Sequence, residues 1–269
     1  MIKTNFHTHT YYCDGKDSPE EMVLAAIDKG FTSIGFSSHS YLEKDAQYVM
    51  SRESAEKYRN EIQTLKEKYK DKIKIFCGIE QDYYSQTPTD VYDYVIGSVH
   101  NILKNGEFLI VDGSVDEMTR QLECYYQNDF DAFAEDYFSL IKDVVVKTNA
   151  DIIGHFDLVL KNCERIPYKP TKRFLTAAER AVKELVKYQK PFEINTGAMA
   201  RGYRTAPYPL PEILKMIYEN NGSIIFSSDC HDKSKLDFGF DVSKALALEI
   251  GFKKQAIITE NKIEYVDII

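Results

Sequence analysis

Seven short apolar or β-branched runs alternating with amphipathic helical stretches predict an α/β fold whose strands pair in parallel. The 269 residues are enough for one α/β barrel or two small domains, and either would bury a substantial core. No internal repeat interrupts the pattern, and no Pro, Gly or Ser cluster is long enough to be an interdomain linker. The expectation is therefore a single domain over residues 1–269.

In chain order, the strand runs are 2–6, 32–36, 72–77, 94–99, 151–154, 191–194 and 223–226. Helical patterns begin near Ser18, Ser51, Asp116, Asp129, Thr171, Pro211 and Asp241. The first helix has a full start signal, with Ser18 as N-cap, Pro19 at the first helical position and Glu21 as the capping-box partner. Gly30 marks its end. Over 51–69, Ala55, Tyr58, Ile62 and Leu65 recur at helical spacing and predict a core-facing stripe. The segment 101–148 holds two helical patterns and no strand signal, which predicts an insertion or an elaborated crossover. Stretches 161–170 and 197–211 read as irregular loops.

Composition narrows the function. Hydrophobic residues make up 43% and charged residues 28% of the chain, so a folded domain is expected rather than disorder. The net charge of -8, with no run of Lys or Arg, weakens the electrostatic basis for nucleic-acid binding and favours a small-molecule substrate. The five cysteines are widely spaced and form no C-x-x-C pair, so neither disulfides nor a cysteine-rich zinc knuckle is expected. No basic segment followed by an apolar stretch opens the chain, and no run could span a bilayer. The expected setting is cytoplasmic, without a membrane.

The histidines carry the argument. All six, His7, His9, His39, His100, His155 and His231, fall at or within a few residues of the carboxyl end of a strand run. In a parallel α/β barrel these ends converge on one mouth. Residues two apart in an extended segment face the same side, so His7 and His9 can bind one ion together. Asp14 follows closely, and Asp229 and His231 repeat the two-residue spacing at the last strand. Glu80 supplies a carboxylate among imidazoles, suited to bridge two cations. Mixed imidazole and carboxylate donors favour Zn, Mn or Fe over Mg or Ca. Cys13 and Cys230 each adjoin a donor by one residue, so in an extended segment their side chains point away.

The series His7-x-His9, Asp14, His39, Glu80, His100, Gly154-His155-Phe156-Asp157 and Asp229-x-His231 resembles the PHP (polymerase and histidinol phosphatase) family over nearly the whole chain. The resemblance implies a distorted seven-stranded (β/α) barrel with metal ions at the carboxyl ends of its strands. It also implies a division of donors: His7, His9, Glu80 and Asp229 for one ion, Glu80, His100 and His155 for a second, and Asp14, His39 and His231 for a third. Ser98-Val99-His100, the segment 154–158 and Glu193-Ile194-Asn195-Thr196-Gly197 look most like histidinol-phosphate phosphatases of histidine biosynthesis.

The implied chemistry is hydrolysis of a phosphomonoester by a metal-bridging water, with two or three divalent ions neutralising phosphoryl charge. Arg201 and Arg204 are candidates to grip phosphate through the guanidinium fork. Asn195 is a candidate to orient a water or ligand. Glu43, Asp82 and Asp157 are candidates for the cationic end of histidinol. Three alternatives stand beside this reading: a PHP nucleoside monophosphatase or oligonucleotide phosphoesterase, an amidohydrolase, and a non-catalytic metal-binding module. The acidic balance disfavours the first. Glu80, where amidohydrolases usually need a carboxylated lysine, disfavours the second, and the complete donor set disfavours the third.

Overall fold

Seven parallel strands follow one another around a sheet in chain order in the computed structural model, which describes residues 3–45, 47–260 and 263–268. They are β1 (Thr4–Asn5), β2 (Ser33–Phe36), β3 (Lys74–Asp82), β4 (Tyr94–Ser98), β5 (Ile152–Ile153), β6 (Phe192–Asn195) and β7 (Ile224–Ser227). A parallel bridge between Thr8 and Cys230, with the His9 amide donating to the Cys230 carbonyl at 2.9 Å, joins the first and last strands past their carboxyl ends. The result is a nearly closed barrel, tied shut where the histidines lie.

The expected strands are all present with shifted ends, although residue 2 of the first run lies outside the described residues. The largest difference is β3, which begins at Lys74 and runs five residues past the expected Cys77. Its first half pairs with β2 and its second half, Gly78 to Asp82, pairs with β4. The apolar pattern fades at Glu80-Gln81-Asp82 while the ladder continues. Glu80 therefore stands within the strand.

The helix Pro19–Asp28 starts on the anticipated capping box: Glu21 N–H donates to Ser18 Oγ at 3.2 Å, and Ser18 N–H donates to the Glu21 carboxylate at 3.0 Å. The helix Arg52–Tyr69 buries Ala55, Tyr58, Ile62 and Leu65. Between β4 and β5 the crossover is richer than expected, with an antiparallel hairpin, Asn101–Lys104 against Glu107–Ile110, then helices Val115–Tyr126, Phe130–Ile141 and Val144–Thr148. Its turn is Asn105-Gly106, both at positive φ, the residue pair that favours a tight hairpin.

A second hairpin, Lys254–Ile258 with Ile263–Asp267, was also not anticipated. Its Ala256 and Ile258 pack with Phe6, Phe76, Tyr94, Ile96, Ile152 and Ile225. Phe76, Gly78 and Glu80 share one face of β3 by the period of two, so this apolar cluster fills the barrel below the polar mouth and the hairpin closes it from beneath. Tyr94 spans the interior, its hydroxyl donating to the carbonyls of Phe6 at 2.5 Å and Phe36 at 3.0 Å. Among the described residues no helix is long and apolar enough to cross a membrane, and all five cysteines are free thiols.

Candidate metal centre

The carboxylate of Glu80, 1% exposed, stands at the centre of the mouth and divides five imidazoles between its two oxygens. Oε2 faces His7 Nε2 at 3.3 Å, His9 Nε2 at 3.5 Å and His39 Nδ1 at 2.9 Å. Oε1 faces His100 Nε2 at 3.3 Å and His155 Nε2 at 3.0 Å, and accepts from Ser98 Oγ at 2.7 Å. β1 leads into His7 and His9, β2 into His39, β4 into His100 and β5 into His155. Four strands thus deliver five imidazoles to the one carboxylate, which stands on β3.

The remaining donors complete the ring. Asp229 Oδ1 lies 3.2 Å from His9 Nε2 and 3.6 Å from His7 Nε2. Asp14 reaches His231 Nε2 at 3.1 Å, His39 Nε2 at 3.6 Å and His9 Nδ1 at 3.7 Å. Three sets each have ligand atoms within 4.8 Å of one another: His9, Asp14, His39 and His231; His7, His9 and Asp229; and His39, Glu80 and His100. Asp229 holds a positive φ of 45°, a backbone state that costs a non-glycine residue about 1–3 kcal/mol. A Cβ at Gly197 would meet its carboxylate, so glycine is required there.

These groups fit cations. His7 Nε2, His9 Nε2 and Glu80 Oε2 are buried without hydrogen-bond partners, an arrangement that is costly unless something positive lies between them. Burial and the neighbouring His231 and His39 push the His9 imidazole down to about 3, so it is neutral and able to donate a lone pair. Burial alone would raise the Glu80 carboxyl, but His7, His39 and His100 outweigh it and hold the group well below the usual range. Asp229 is held low in the same way, against burial, by Arg201 and His7. For His7, His39 and His100, burial lowers the imidazole but the neighbouring carboxylates outweigh it and raise them. Mixed imidazole and carboxylate donors are those that Zn, Mn or Fe prefer.

The family model for the PHP domain matches residues 5–197, from β1 through the end of β6. The chain belongs to the PHP domain family. Among its relatives, the Schizosaccharomyces pombe protein named "Probable histidinol-phosphatase" is 24% identical over 96% of this chain and 89% of its own length. The Bacillus subtilis histidinol-phosphatase is 24% identical over 90% of this chain and 98% of its own. The solved structure of a Lactococcus lactis histidinol phosphate phosphatase, complexed with zinc, L-histidinol and phosphate, superimposes with a TM-score of 0.74, 23% identity and coverage of 98% of this chain and 99% of that one. At that identity the likeness is one of fold. Asp229 and His231 lie beyond the matched PHP span, yet the barrel returns them to the same mouth.

The other candidates of this PHP chain divide. Arg201 reaches the mouth, donating to Asp229 Oδ2 at 3.2 Å and standing 2.9 Å from His231 Nδ1. Arg204 is turned inward, 6% exposed, over the Tyr208 ring and 3.9 Å from the fully buried Asp157. Asp157 in turn accepts from the Leu210 amide at 2.9 Å. Asp82 backs His100, with Oδ2 3.3 Å from both its amide and its Nδ1. Asn195 donates to Glu193 at 3.1 Å and accepts from Gly197 N–H at 2.8 Å. Glu43 is exposed on the short 3-10 turn Glu43–Asp45.

Two residues correct the sequence reading. Cys13 does not follow the alternation of an extended segment, because residues 11–14 form a turn; its Sγ lies 3.4 Å from His9 Nδ1, and burial with Asp14 nearby pushes the thiol up to about 11. Glu193 was not among the site residues at all. It is 1% exposed and its carboxylate contacts His7 Nδ1 at 2.7 Å. Its signal was available: Glu193 and Asn195 sit two apart at the end of a strand, the spacing that sends both side chains into the barrel.

Proposed function

We propose that this chain is a metal-dependent phosphomonoesterase that hydrolyses L-histidinol phosphate to L-histidinol and phosphate in histidine biosynthesis, the activity for which its near full-length relatives are named. One observation carries the metal-dependent part: Glu80 presents one oxygen to His7, His9 and His39 and the other to His100 and His155. A carboxylate so divided is suited to bridge neighbouring cations. In this reading His7, His9, Glu80 and Asp229 hold one ion, Glu80, His100 and His155 a second, and Asp14, His39 and His231 a third, each Zn, Mn or Fe.

Bound there, the ions supply charge neutralisation on phosphoryl oxygens and a water acidic enough to serve as nucleophile near neutral pH. The chain's own groups do the rest. Arg201, with its side chain 34% exposed, keeps part of its guanidinium open at the mouth and offers bidentate hydrogen bonds to the phosphate. Asp82, behind His100, fixes that ring beside Glu80. Residues 1–269 work as one unit, because Asp229 and His231 complete a set begun at His7. The net charge of -8 goes with a small substrate rather than a nucleic-acid partner, and the five free cysteines go with a reducing, cytoplasmic setting.

The test is a comparison of kcat/KM for L-histidinol phosphate, nucleoside monophosphates and an aryl phosphate with one metal-loaded preparation. Preference for L-histidinol phosphate is expected. Preference for a nucleotide contradicts the substrate assignment and leaves the phosphoesterase reading standing.

A further inference from the structure

Among the described residues Glu193 makes three polar contacts, each with a nitrogen. Its Oε1 lies 2.7 Å from His7 Nδ1, while Oε2 accepts from the His155 backbone amide at 2.9 Å and from Asn195 Nδ2 at 3.1 Å. Asn195 is itself fixed, because its Oδ1 accepts from Gly197 N–H at 2.8 Å and its amide cannot turn over without losing that bond. All of these side chains are buried. An ionised carboxylate is acceptor-only, so it alone among side chains of this size satisfies three donors at once.

We propose that Glu193 is a positioning residue of the metal centre, fixing His7 with its proton on Nδ1 and its Nε2 lone pair turned toward Glu80 and Asp229. The role rests on the metal-binding reading of the site. The same carboxylate ties β6 to the start of the His155 segment, so one buried group sets the ring of His7 and the backbone that carries His155. Two donors from opposite sides of Glu80 share a single anchor. A ligand histidine whose second nitrogen is held by a carboxylate is oriented and made more basic, and loss of such a partner typically weakens metal binding about 10–100-fold.

Glu193→Gln keeps the shape and removes this match. If the amide oxygen faces His7, the amide NH2 opposes the His155 and Asn195 donors; if the NH2 faces His7, the ring must carry its proton on Nε2, where the metal lone pair is needed. The experiment is zinc affinity by competition with a chromophoric chelator, on wild type and Glu193→Gln, with circular dichroism on both and turnover measured against zinc concentration. The expected result is zinc binding weaker by about 10–100-fold at unchanged secondary structure, with turnover regained as zinc is raised. A merely structural defect would instead show as altered circular dichroism or a lower Tm of the chelator-treated variant, which is measured beside the zinc titration.

Zinc affinity equal to wild type in Glu193→Gln overturns the role of Glu193 and leaves the metal centre intact. A wild-type chain that binds no zinc overturns the metal reading and this role with it. Should the glutamine variant fail to fold, Glu193→Asp gives the same readout, since it keeps an acceptor-only group on a shorter stem that cannot reach all three donors. Weaker zinc binding is expected there too, and equal affinity overturns the role.

Discussion

Residue by residue, the centre depends on buried charge. Glu80 is buried among five imidazoles, so replacing its carboxylate by an amide removes a negative charge that neighbouring cations would share. Glu80→Gln is expected to lose bound metal and turnover together, as read by elemental analysis and phosphate release on one preparation; full turnover in that variant would refute the bridging role. Arg201 is a different case, because it touches Asp229 and His231 while remaining partly open. Arg201→Lys keeps the charge but loses the planar fork, and it is expected to raise KM for the phosphomonoester several-fold with metal content unchanged. The histidines were legible in the sequence because their residue type and their position after apolar runs are both local features. Glu193 was harder to read: its two-residue spacing to Asn195 is a signal, but a glutamate inside an apolar run gains its partner only when the barrel brings His7 beside it.

At the level of the elements, the β-strands were readable wherever apolar residues continued and were misjudged wherever polar residues kept the ladder. β3 shows the reason: Glu80, Gln81 and Asp82 are buried polar residues in a paired strand, tolerated because the mouth needs them. The two hairpins went unread for another reason. Their strands are short and pair only with each other, so they leave no alternation with helices, although Asn105-Gly106 carried a turn signal. Packing inside the barrel yields its own prediction. A Cβ at Gly78 would run into the ring of Tyr94, which is fully buried and fixed at its hydroxyl by two carbonyls. Gly78→Ala is expected to cost about 1–3 kcal/mol by overpacking, measured as a lower urea midpoint. An unchanged midpoint would mean that the interior is looser than the Tyr94 contacts indicate.

For the molecule as a whole, folding and metal binding are linked. The barrel gathers nine donors from positions spread between His7 and His231, and only the closed barrel brings them together, so cations that bind this state stabilise it against unfolding. Saturating zinc at a hundredfold over its Kd corresponds to about 2.7 kcal/mol of added stability. Thermal unfolding followed with and without chelator is expected to show a lower Tm in the stripped protein, rising with zinc concentration. A Tm insensitive to zinc would separate the mouth from metal binding altogether. The central claim, that this PHP chain uses bound divalent ions to hydrolyse L-histidinol phosphate, is tested most directly by phosphate release from that substrate before chelation, after chelation and after zinc or manganese is restored. The account predicts turnover that disappears on chelation and returns with the metal. Full turnover by the stripped protein would contradict it.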